Sequence, residues 1–475
     1  MANLIANISK VKYPTDFDLV GVYLIAPAIT SLDMKPYLVE LSYFEDIFNN
    51  TISGKLVVSD AVGVLNFGSL NGNEYIKLIF RKEHDSEQTI NRTFRIFSVT
   101  NRKIDESNDS ENYTLQFCSD EFVLSEQYRV SKSYKSANIS KIIYDVLIDT
   151  LKVKKYVDIE QTTGVYDFVL PNKKLFETIN WLSTYALPDS KNPGADMLFF
   201  ENNNGYYFRS LQTLFKQKPV LHLVFNPKNI NQKVIQYEKD KSTGGEGIFL
   251  NVMKIDFLDY FDTLGGTSKG TYNNRVICID TITREKNNVD FNYKNYFNSS
   301  QHMNDWPIIN NYKNRFNKAN YEPPDNDKDT GTLRLAISNN NQLSFPFLNR
   351  KGQAGLDTLK KNIFVEKYLP NRVSQIALSN YMRLRVTVPG NTGIVAGVTV
   401  RFTMFGIAPI EQKKGGREPD WFISGNYLVT AVRHIINNTT YISVVEMIKE
   451  SVTYPYVDGS GTDSVWNSIV SGDPS

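Results

Sequence analysis

The stretch LVELSYFEDIFNNTISGKLVVSD, from Leu38 to Asp60, decides the fold. Its apolar residues Val39, Leu41 and Tyr43 alternate with polar ones, and the same alternation returns at Leu56 after a polar turn. A period of two is typical of a strand with one buried and one solvated face. The stretch therefore predicts two antiparallel strands joined by a long turn.

The turn of this hairpin carries the apolar residues Ile47, Phe48 and Ile52 in an otherwise polar loop. Free loops rarely carry such residues, so the turn is expected to pack on its own domain or on a neighbouring chain. Glu45 and Asp46 are adjacent, and on a strand they point to opposite faces, which is a poor layout for paired-carboxylate catalysis. We predict that these five residues form a contact with a partner or with a second copy of the chain.

This segment resembles the opening of the baseplate hub family of contractile-tailed phages. In that family a strand ending in a Y/F-E-D-I-F run leads through an N-x-I/L-[ST]-G turn into a second strand that ends in Asp. The matching segments here are Tyr43–Phe48, Asn50–Gly54 and Leu56–Asp60. The alternative interpretation is an ordinary hairpin of some other all-β protein.

The composition narrows the class of protein. A chain of 475 residues is too long for one hydrophobic core and predicts about three domains. It holds 53 Lys and Arg against 51 Asp and Glu, and a net charge of +2 gives no support for nucleic-acid binding. Two cysteines, Cys118 and Cys278, are too few for a disulfide framework and are expected to be buried.

The first 30 residues of the sequence bear on where the protein is made. Residues 1–30 lack the layout of a signal peptide, and their apolar run is shorter than the roughly 20 residues that a bilayer requires. These observations predict a protein that is made in a cytoplasm and is not inserted in a membrane, and the phage resemblance implies that the cytoplasm is that of a bacterial host.

Two domains are predicted in the first half of the chain. Alternating patterns continue to about residue 123 and predict an antiparallel barrel or sandwich over residues 1–123. The period then becomes helical, with one helix capped by Ser136 and another opening near Asn172. A hairpin with Gly205 in its turn follows, so a mixed α+β domain is predicted over residues 124–215.

The end of this mixed domain also resembles the hub family. Hub proteins close it with a hairpin of the L-F-F … G-Y-x-F-R-S-L kind, and Leu198–Phe200 and Gly205–Leu211 match that pattern. The aromatic residues are interpreted as core, and no binding role is assigned to them.

A second β domain is predicted over residues 216–283 and 376–454. The order of Pro389–Gly390, Ala396–Val400 and Gly425–His434 resembles the second barrels of phage hub and related tail proteins. The resemblance thus covers both barrels and the mixed domain.

An insertion with a helix is predicted over residues 284–375. Residues 284–352 are rich in Asn, Lys, Asp and Tyr without periodicity, which predicts a surface elaboration that contacts a neighbour or a disordered insertion. The helical pattern of Leu356–Ser379 contains Pro370, which is expected to divide it into two helices.

The tail over residues 455–475 is rich in Gly, Ser and Asp but contains a short apolar group. Trp466, Ile469 and Val470 are spaced i, i+3 and i+4, as in an amphipathic anchor. We predict that these three residues contact a partner.

The sequence contains no recognisable catalytic arrangement. His84, His222, His302 and His434 are isolated, and HExxH, G-x-S-x-G, a P-loop and paired cysteines at metal spacing are absent. His434 is predicted to be a strand residue with a backbone hydrogen-bond partner. We expect no enzymatic activity, no metal and no cofactor.

These features predict an α+β protein, mainly antiparallel β, with two tail-tube-like β-barrel or sandwich domains, an inserted mixed α+β domain and an irregular insertion. The resemblance implies a baseplate hub subunit of the virion, forming a homotrimer whose six barrels adapt a sixfold tail tube to a threefold central spike. It also implies a channel through which DNA passes transiently. The implied partners are the spike and the tail tube or tube-initiator protein, with baseplate wedge and tape-measure proteins as further candidates.

Three alternatives remain open at the level of sequence. The first is a β-rich tail receptor or carbohydrate-binding module, which the aromatic content of 12% would favour, although most rings fall on core positions. The second is the hub of a related contractile injection system. The third, a tail-associated enzyme that degrades cell wall, is disfavoured by the missing catalytic groups.

Overall fold

The computed structural model describes most of the chain. The described residues are 13–15, 17–27, 29–65, 70–82, 89–105, 109–189, 196–225, 249–280, 286–293, 297, 300–307, 333–338, 365–405, 419–420 and 422–453. Within them the structure is mainly antiparallel β with a few helices, which confirms the predicted α+β class.

Seven strands form the first β lobe. Their bounds are β1 (Phe17–Ala26), β2 (Ile29–Asp33), β3 (Leu38–Asp46), β4 (Ser53–Asp60), β5 (Tyr75–Lys82), β6 (Ile90–Asp105) and β7 (Ser110–Cys118). Neighbouring strands are antiparallel in the order β2-β1-β5-β6-β7-β4-β3, and a 3-10 turn over Lys35–Tyr37 leads into β3. The predicted hairpin is therefore present as β3 and β4.

Alternating side chains of these strands fill the core of the first lobe. Leu41 and Tyr43 are fully buried, as the alternation predicts. Val39 is half exposed, which corrects its predicted position on the buried face. The cause is a shift of strand register between Leu38 and Glu40, which turns Leu38 toward the core instead.

The mixed α+β region follows the first lobe. Its elements are α1 (Asp120–Gln127), β8 (Arg129–Val130), β9 (Ser133–Ala137), α2 (Ile139–Asp145), β10 (Val157–Ile159), β11 (Thr162–Thr163), β12 (Tyr166–Val169), β13 (Lys173–Lys174), α3 (Leu175–Ser183), β14 (Leu187–Pro188), β15 (Met197–Asn202), β16 (Gly205–Ser210) and α4 (Leu211–Phe215). A π-helical turn over Val146–Thr150 extends α2. Helices α2 and α3 and the β15–β16 hairpin share one apolar core.

Two helix starts in this region differ from the prediction. Ser136 does not cap α2, because it lies in β9 with a left-handed φ of 51°, and Asn138 precedes the helix. Helix α3 begins at Leu175 because Asn172 adopts a left-handed φ of 50°, a conformation that Asn tolerates in turns.

The β15–β16 hairpin has the predicted tight turn. Gly205 follows Asn203 and Asn204 with a φ of 152°. A Cβ at Gly205 would lie 2.2 Å from the carbonyl oxygen of Tyr156, so only glycine fits there.

The remaining elements complete the chain. They are β17 (His222–Phe225), β18 (Phe249–Asn251), β19 (Lys254–Asp259), α5 (Thr263–Lys269), β20 (Asn273–Asp280), β21 (Lys286–Asn292), β22 (Trp306–Pro307), β23 (Leu333–Ser338), α6 (Val365–Ser379), β24 (Met382–Pro389), β25 (Thr399–Met404), β26 (Gly425–Ile436), β27 (Tyr441–Lys449) and β28 (Ser451–Val452).

Seven of these strands form the second β lobe, in the order β18-β17-β25-β26-β27-β24-β19. Strand β17 is parallel to β18 and β25, whereas the other pairs are antiparallel. The two outer strands, β18 and β19, are consecutive in the chain, separated by Val252 and Met253 alone. Alternating apolar residues of all seven strands form the core.

The insertion contains a small sheet of its own. Strand β20 pairs antiparallel with β21 and parallel with β23. Residues 273–280 therefore belong to the insertion. The sequence pattern assigns them to the second β domain, within residues 216–283, and the sheet pairing corrects this assignment. Part of the segment predicted to be irregular, residues 286–292, is a regular strand because it completes this sheet.

Helix α6 is continuous through Pro370, which corrects the predicted division into two helices. A proline inside a helix costs about 3 kcal/mol. Packing against the insertion sheet offsets this cost, because Asn274 donates a hydrogen bond from Nδ2 to the carbonyl of Pro370 at 3.3 Å and Ser374 donates to the carbonyl of Thr271 at 2.5 Å.

Strand β26 joins the two lobes. One of its edges pairs first with β25, through residues 425–428, and then with β3 of the first lobe, through residues 431–436. Its other edge pairs with β27, with a bulge between Val429 and Ala431 where the partner changes. Ile436 and Tyr441, from the end of this hairpin, lie in the core of the first lobe. The two lobes therefore share one continuous sheet.

Candidate assembly interface

The β3–β4 turn is held in one conformation by Asp46. Its Oδ1 accepts a hydrogen bond from the backbone N–H of Phe48, and its Oδ2 accepts one from Nδ2 of Asn49, both at 2.8 Å. The N–H of Ile47 donates to the carbonyl of Thr430 in β26 at 2.9 Å. This arrangement leaves the Phe48 side chain 56% exposed.

The two other apolar residues of the turn are buried within the chain. Ile47 packs with Phe200, Leu428 and Ile448, and Ile52 belongs to the core of the first lobe. Of the two alternatives for this turn, packing on its own chain therefore applies to Ile47 and Ile52. They offer no side-chain surface to a partner, which corrects the interface prediction for them.

Glu45 is also buried and links three parts of the chain. Its Oε1 accepts from the N–H of Asn203, at the tip of the β15–β16 hairpin, and its Oε2 accepts from the N–H of Ala396 in the second lobe, both at 2.9 Å. Burial raises the pKa of the Glu45 carboxyl to about 7. Its predicted contact with a partner is corrected to a contact inside the chain.

A second buried carboxylate lies on the same hairpin. Glu201 accepts hydrogen bonds from the N–H of Ile52 at 3.1 Å and the Ser119 hydroxyl at 2.6 Å. Lys155 lies 2.7 Å from Glu201 and 2.7 Å from Glu121, so it compensates both carboxylates. Glu201 and Ile52 are 149 residues apart in the chain. No local pattern in the sequence could therefore predict that these groups meet.

The hairpin tip is fastened to both lobes. Asn202 donates from Nδ2 to the carbonyl of Ala396 at 2.9 Å, and Arg92 of the first lobe donates to the carbonyl of Asn203. We call Glu45, Glu201 and the hairpin tip, Asn202–Gly205, the three-way junction. It fixes the mixed region between the lobes.

An open cleft of about 280 Å³ lies outside the junction, at the border of the two lobes. It is lined by Asp46, Phe48, Asn380, Arg383, Thr430, Ala431, Glu446 and Ile448. Arg383 lies 3.2 Å from Asp259 and 3.5 Å from Glu446, and Arg385 lies 2.6 Å from Glu446. Burial, with the nearby Glu446, raises the pKa of Asp46. Asp46 and Phe48 therefore stay candidates for a partner contact, whereas Trp466, Ile469 and Val470 lie outside the described residues.

The described histidines and cysteine do not form a reactive site. His434 bonds through Nδ1 to the hydroxyls of Ser443 and Tyr441, at 3.0 and 2.9 Å, which corrects the predicted backbone partner. Burial lowers its pKa to about 3 and raises that of the buried Cys118 thiol to about 12. His302 lies 2.8 Å from Glu450, and its other ring nitrogen lies 3.0 Å from the Phe297 carbonyl.

Among the described residues, no group of three or more His, Cys, Asp or Glu side chains could hold a metal ion. In the same part of the chain, every helix is too short or too polar to cross a bilayer. His84 and the side chain of Cys278 lie outside the described residues.

Comparison with known proteins gives a structural likeness without a sequence match. No family model and no curated protein matches the chain. The 43 kDa tail protein of prophage MuSo2 from Shewanella oneidensis aligns with a TM-score of 0.50 at 7% identity, covering 90% of this chain and 98% of that one. At this identity the likeness shows a shared fold: the chain has the fold of a prophage tail protein.

Two further solved structures are similar at lower scores. The tail protein from Neisseria meningitidis MC58 aligns with a TM-score of 0.47 at 10% identity, over 90% of this chain and 96% of that one. The E. coli c3393 protein, a component of the type VI secretion system, aligns with a TM-score of 0.42 at 8% identity, over 91% of this chain and 78% of that one.

Proposed function

We propose that this chain is a structural subunit of a phage tail baseplate, and specifically its hub. The observation that carries the proposal is the fold, since 90% of the chain aligns with a prophage tail protein at a TM-score of 0.50. Because one fold can host several functions, the arrangement of the two lobes supplies a second argument.

The proposed assembly is a homotrimeric ring. Each chain supplies two seven-stranded lobes that are joined edge to edge through β3 and β26. We infer that each lobe is a tail-tube-like barrel, so that three chains present six barrels to a sixfold tube and a threefold face to a spike. The buried contacts of the three-way junction support this role, because an adaptor between two symmetries must keep its lobes in a fixed relation.

The partners follow from this position in the virion tail. They are the central spike on one side, the tail tube or tube-initiator protein on the other, and wedge or tape-measure proteins at the periphery. DNA passes through the central channel without lasting contact, in keeping with a net charge of +2. The exposed Phe48 and the half-buried Asp46 are the described residues that we assign to a contact between subunits or with a partner.

The proposed role is structural and needs no catalysis. The described polar clusters connect segments of the chain to one another, as Glu45, Glu201 and Lys155 do. None of the three lines the open cleft beside Asp46 and Phe48. A turbidity assay on purified peptidoglycan tests this assignment, and clearing by the purified chain would contradict it.

The first experiment is a measurement of native mass. The purified chain, alone or with the spike protein, should give a species of three times the chain mass of 54.2 kDa. Negative-stain electron microscopy of that species should show a ring with a central hole. A chain that stays monomeric with candidate spike and tube proteins present would contradict the hub assignment.

A carbohydrate-binding module is the second candidate, and one surface favours it. Phe257, Tyr260, Phe261 and Leu264 form an exposed group at the end of β19 and the start of α5, which we call the aromatic patch. Exposed rings of this kind can stack on sugars. Binding to a glycan array that is lost on Phe261→Ala would favour this candidate over the hub.

A further inference from the structure

The aromatic patch is an exposed apolar surface at the end of β19. Phe261 is 59% exposed and Leu264 is 84% exposed. The rings of Phe257 and Phe261 lie 6.0 and 5.6 Å from that of Tyr260, so the three rings are contiguous, and Leu264 follows Phe261 by three residues. Contiguous exposed apolar groups mark surfaces that another segment or molecule covers.

The patch is rigidly supported from below. The ring of Phe422 lies 5.6 Å from that of Tyr260. The fully buried Lys449 holds this support in place, because its Nζ donates to the carbonyls of Phe422, Ile423 and Ser424 at 2.6, 3.1 and 3.0 Å. Phe422, which contacts Tyr260 from within the lobe, is therefore held in place before anything binds to the patch.

The chain itself leaves the described structure next to this surface. Thr453, the last described residue, donates from Oγ1 to the carbonyl of Ser424 at 3.4 Å, two residues from Phe422. Residues 454–475 continue from this point and contain Val465, Trp466, Ile469 and Val470. Twelve residues separate Thr453 from Trp466, and a chain of that length reaches at most roughly 45 Å, so the apolar residues are within reach of the patch.

We propose that the segment Val465–Val470 docks on the aromatic patch of its own chain. The position of Thr453, the length of the tail and the support under Tyr260 carry the proposal. The contact is independent of the hub assignment. It uses the side chains that we predict to meet an assembly partner, so the two contacts exclude each other.

Hydrogen–deuterium exchange on the full chain tests the contact. In the double variant Trp466→Asp with Ile469→Asp, the amides of residues 254–264 should exchange about tenfold faster. A tenfold change is expected if the lost contact was formed in about 90% of the molecules. A matched control, Asn467→Asp with Ser468→Asp, adds the same charge between the same positions but keeps the apolar groups, and should leave exchange unchanged. The reciprocal change, Leu264→Asp, should speed exchange of residues 465–470.

Two outcomes would overturn the proposal. One is unchanged exchange in residues 254–264 for the Trp466 and Ile469 pair. The other is protection that increases with protein concentration, since it would assign the tail to the patch of a second copy. Protection that is equal across a hundredfold dilution, and is lost in both the tail variant and Leu264→Asp, supports docking within one chain. Failure of this test leaves the trimer measurement unaffected.

Discussion

Replacing Glu45 with glutamine should remove the pH dependence of stability that arises at the three-way junction. Glu45 is fully buried, and burial raises its pKa in the folded chain from a reference of 4.5 to about 7. The folded state therefore holds this proton more tightly than the unfolded state does. The stabilisation linked to the proton is complete below pH 4.5 and is lost as the pH rises through 7.

The size of the effect follows from the two pKa values. Each unit of difference corresponds to about 1.4 kcal/mol, so the step from 4.5 to about 7 is worth roughly 3 kcal/mol, of which about 2.5 kcal/mol is lost between pH 5 and pH 8. Glutamine does not titrate, and its NH₂ group would face the N–H of Asn203 or Ala396. At pH 5 the variant should therefore be less stable than the natural chain by roughly 1–3 kcal/mol, and the gap should close toward pH 8.

Urea unfolding followed by circular dichroism at steps from pH 5 to pH 8 measures the effect. Exchange of the Asn203 and Ala396 amides, corrected for intrinsic rates, locates it at the junction. Glu40→Gln is the matched control, because Glu40 lies on the same strand, is partly exposed and pairs with Lys55 and Arg433. Natural and Glu45→Gln chains whose stability changes in parallel across this range would refute the reasoning.

Three further predictions concern the surface, the tail and the buried ion pairs. Phe48→Asp should leave the melting temperature unchanged within about 1 °C and weaken trimer formation or docking in native mass spectrometry, since Phe48 is exposed. Deletion of residues 460–475 should leave the circular dichroism spectrum intact and weaken capture of a tube or spike protein; unchanged assembly into baseplates would refute it. Lys155→Met should cost about 3 kcal/mol in urea unfolding, because it leaves the buried Glu201 uncompensated.

Two of these predictions, on Phe48 and on Lys155, have a control within the chain. Phe97→Asp alters another half-exposed ring, on β6 of the first lobe, and should not affect assembly if the Phe48 surface is specific. Loss of soluble expression in Phe48→Asp would show that this side chain belongs to the core. The combined change Lys155→Met with Glu201→Gln should recover part of the stability, and no recovery would contradict the charge argument.

Local patterns in the sequence predicted local pairs of strands. Alternation around Leu41 and Leu56 indicated the β3–β4 hairpin, and the Asn203–Gly205 turn indicated β15–β16. The β26–β27 hairpin likewise turns at Asn437 through neighbouring residues, since its Oδ1 accepts from the N–H groups of Thr439 and Thr440. In each case the residues that decide the structure are close together in the chain, so propensity and periodicity are sufficient.

Contacts between distant segments had no such signal. The pairing of β3 with β26 joins residues such as Ser42 and Arg433, which are 391 positions apart. Glu45 is a charged residue next to a turn, and its sequence position suggests exposure. It is buried because its carboxyl group accepts hydrogen bonds from the N–H groups of Asn203 and Ala396, which are distant in the chain. Helix α6 tolerates Pro370 because tertiary contacts offset the local cost. The sequence therefore indicated the turn but not which of its side chains are exposed, and a partner contact of Asp46 and Phe48 stays a prediction.

The pairing of β3 with β26 has a consequence for the order in which the chain folds during synthesis. Residues 17–118 supply all seven strands of the first lobe and look self-contained in the sequence. The core of this lobe nevertheless lacks Ile436 and Tyr441 until the ribosome has added β26 and β27. Until then β3 is paired with β4 on one edge and is open on the edge that β26 later occupies. A nascent chain that stalls before β26 should thus expose a long strand edge and an open core, and should depend on chaperones. Native structure in both lobes should therefore appear together, once β26 and β27 have been synthesised.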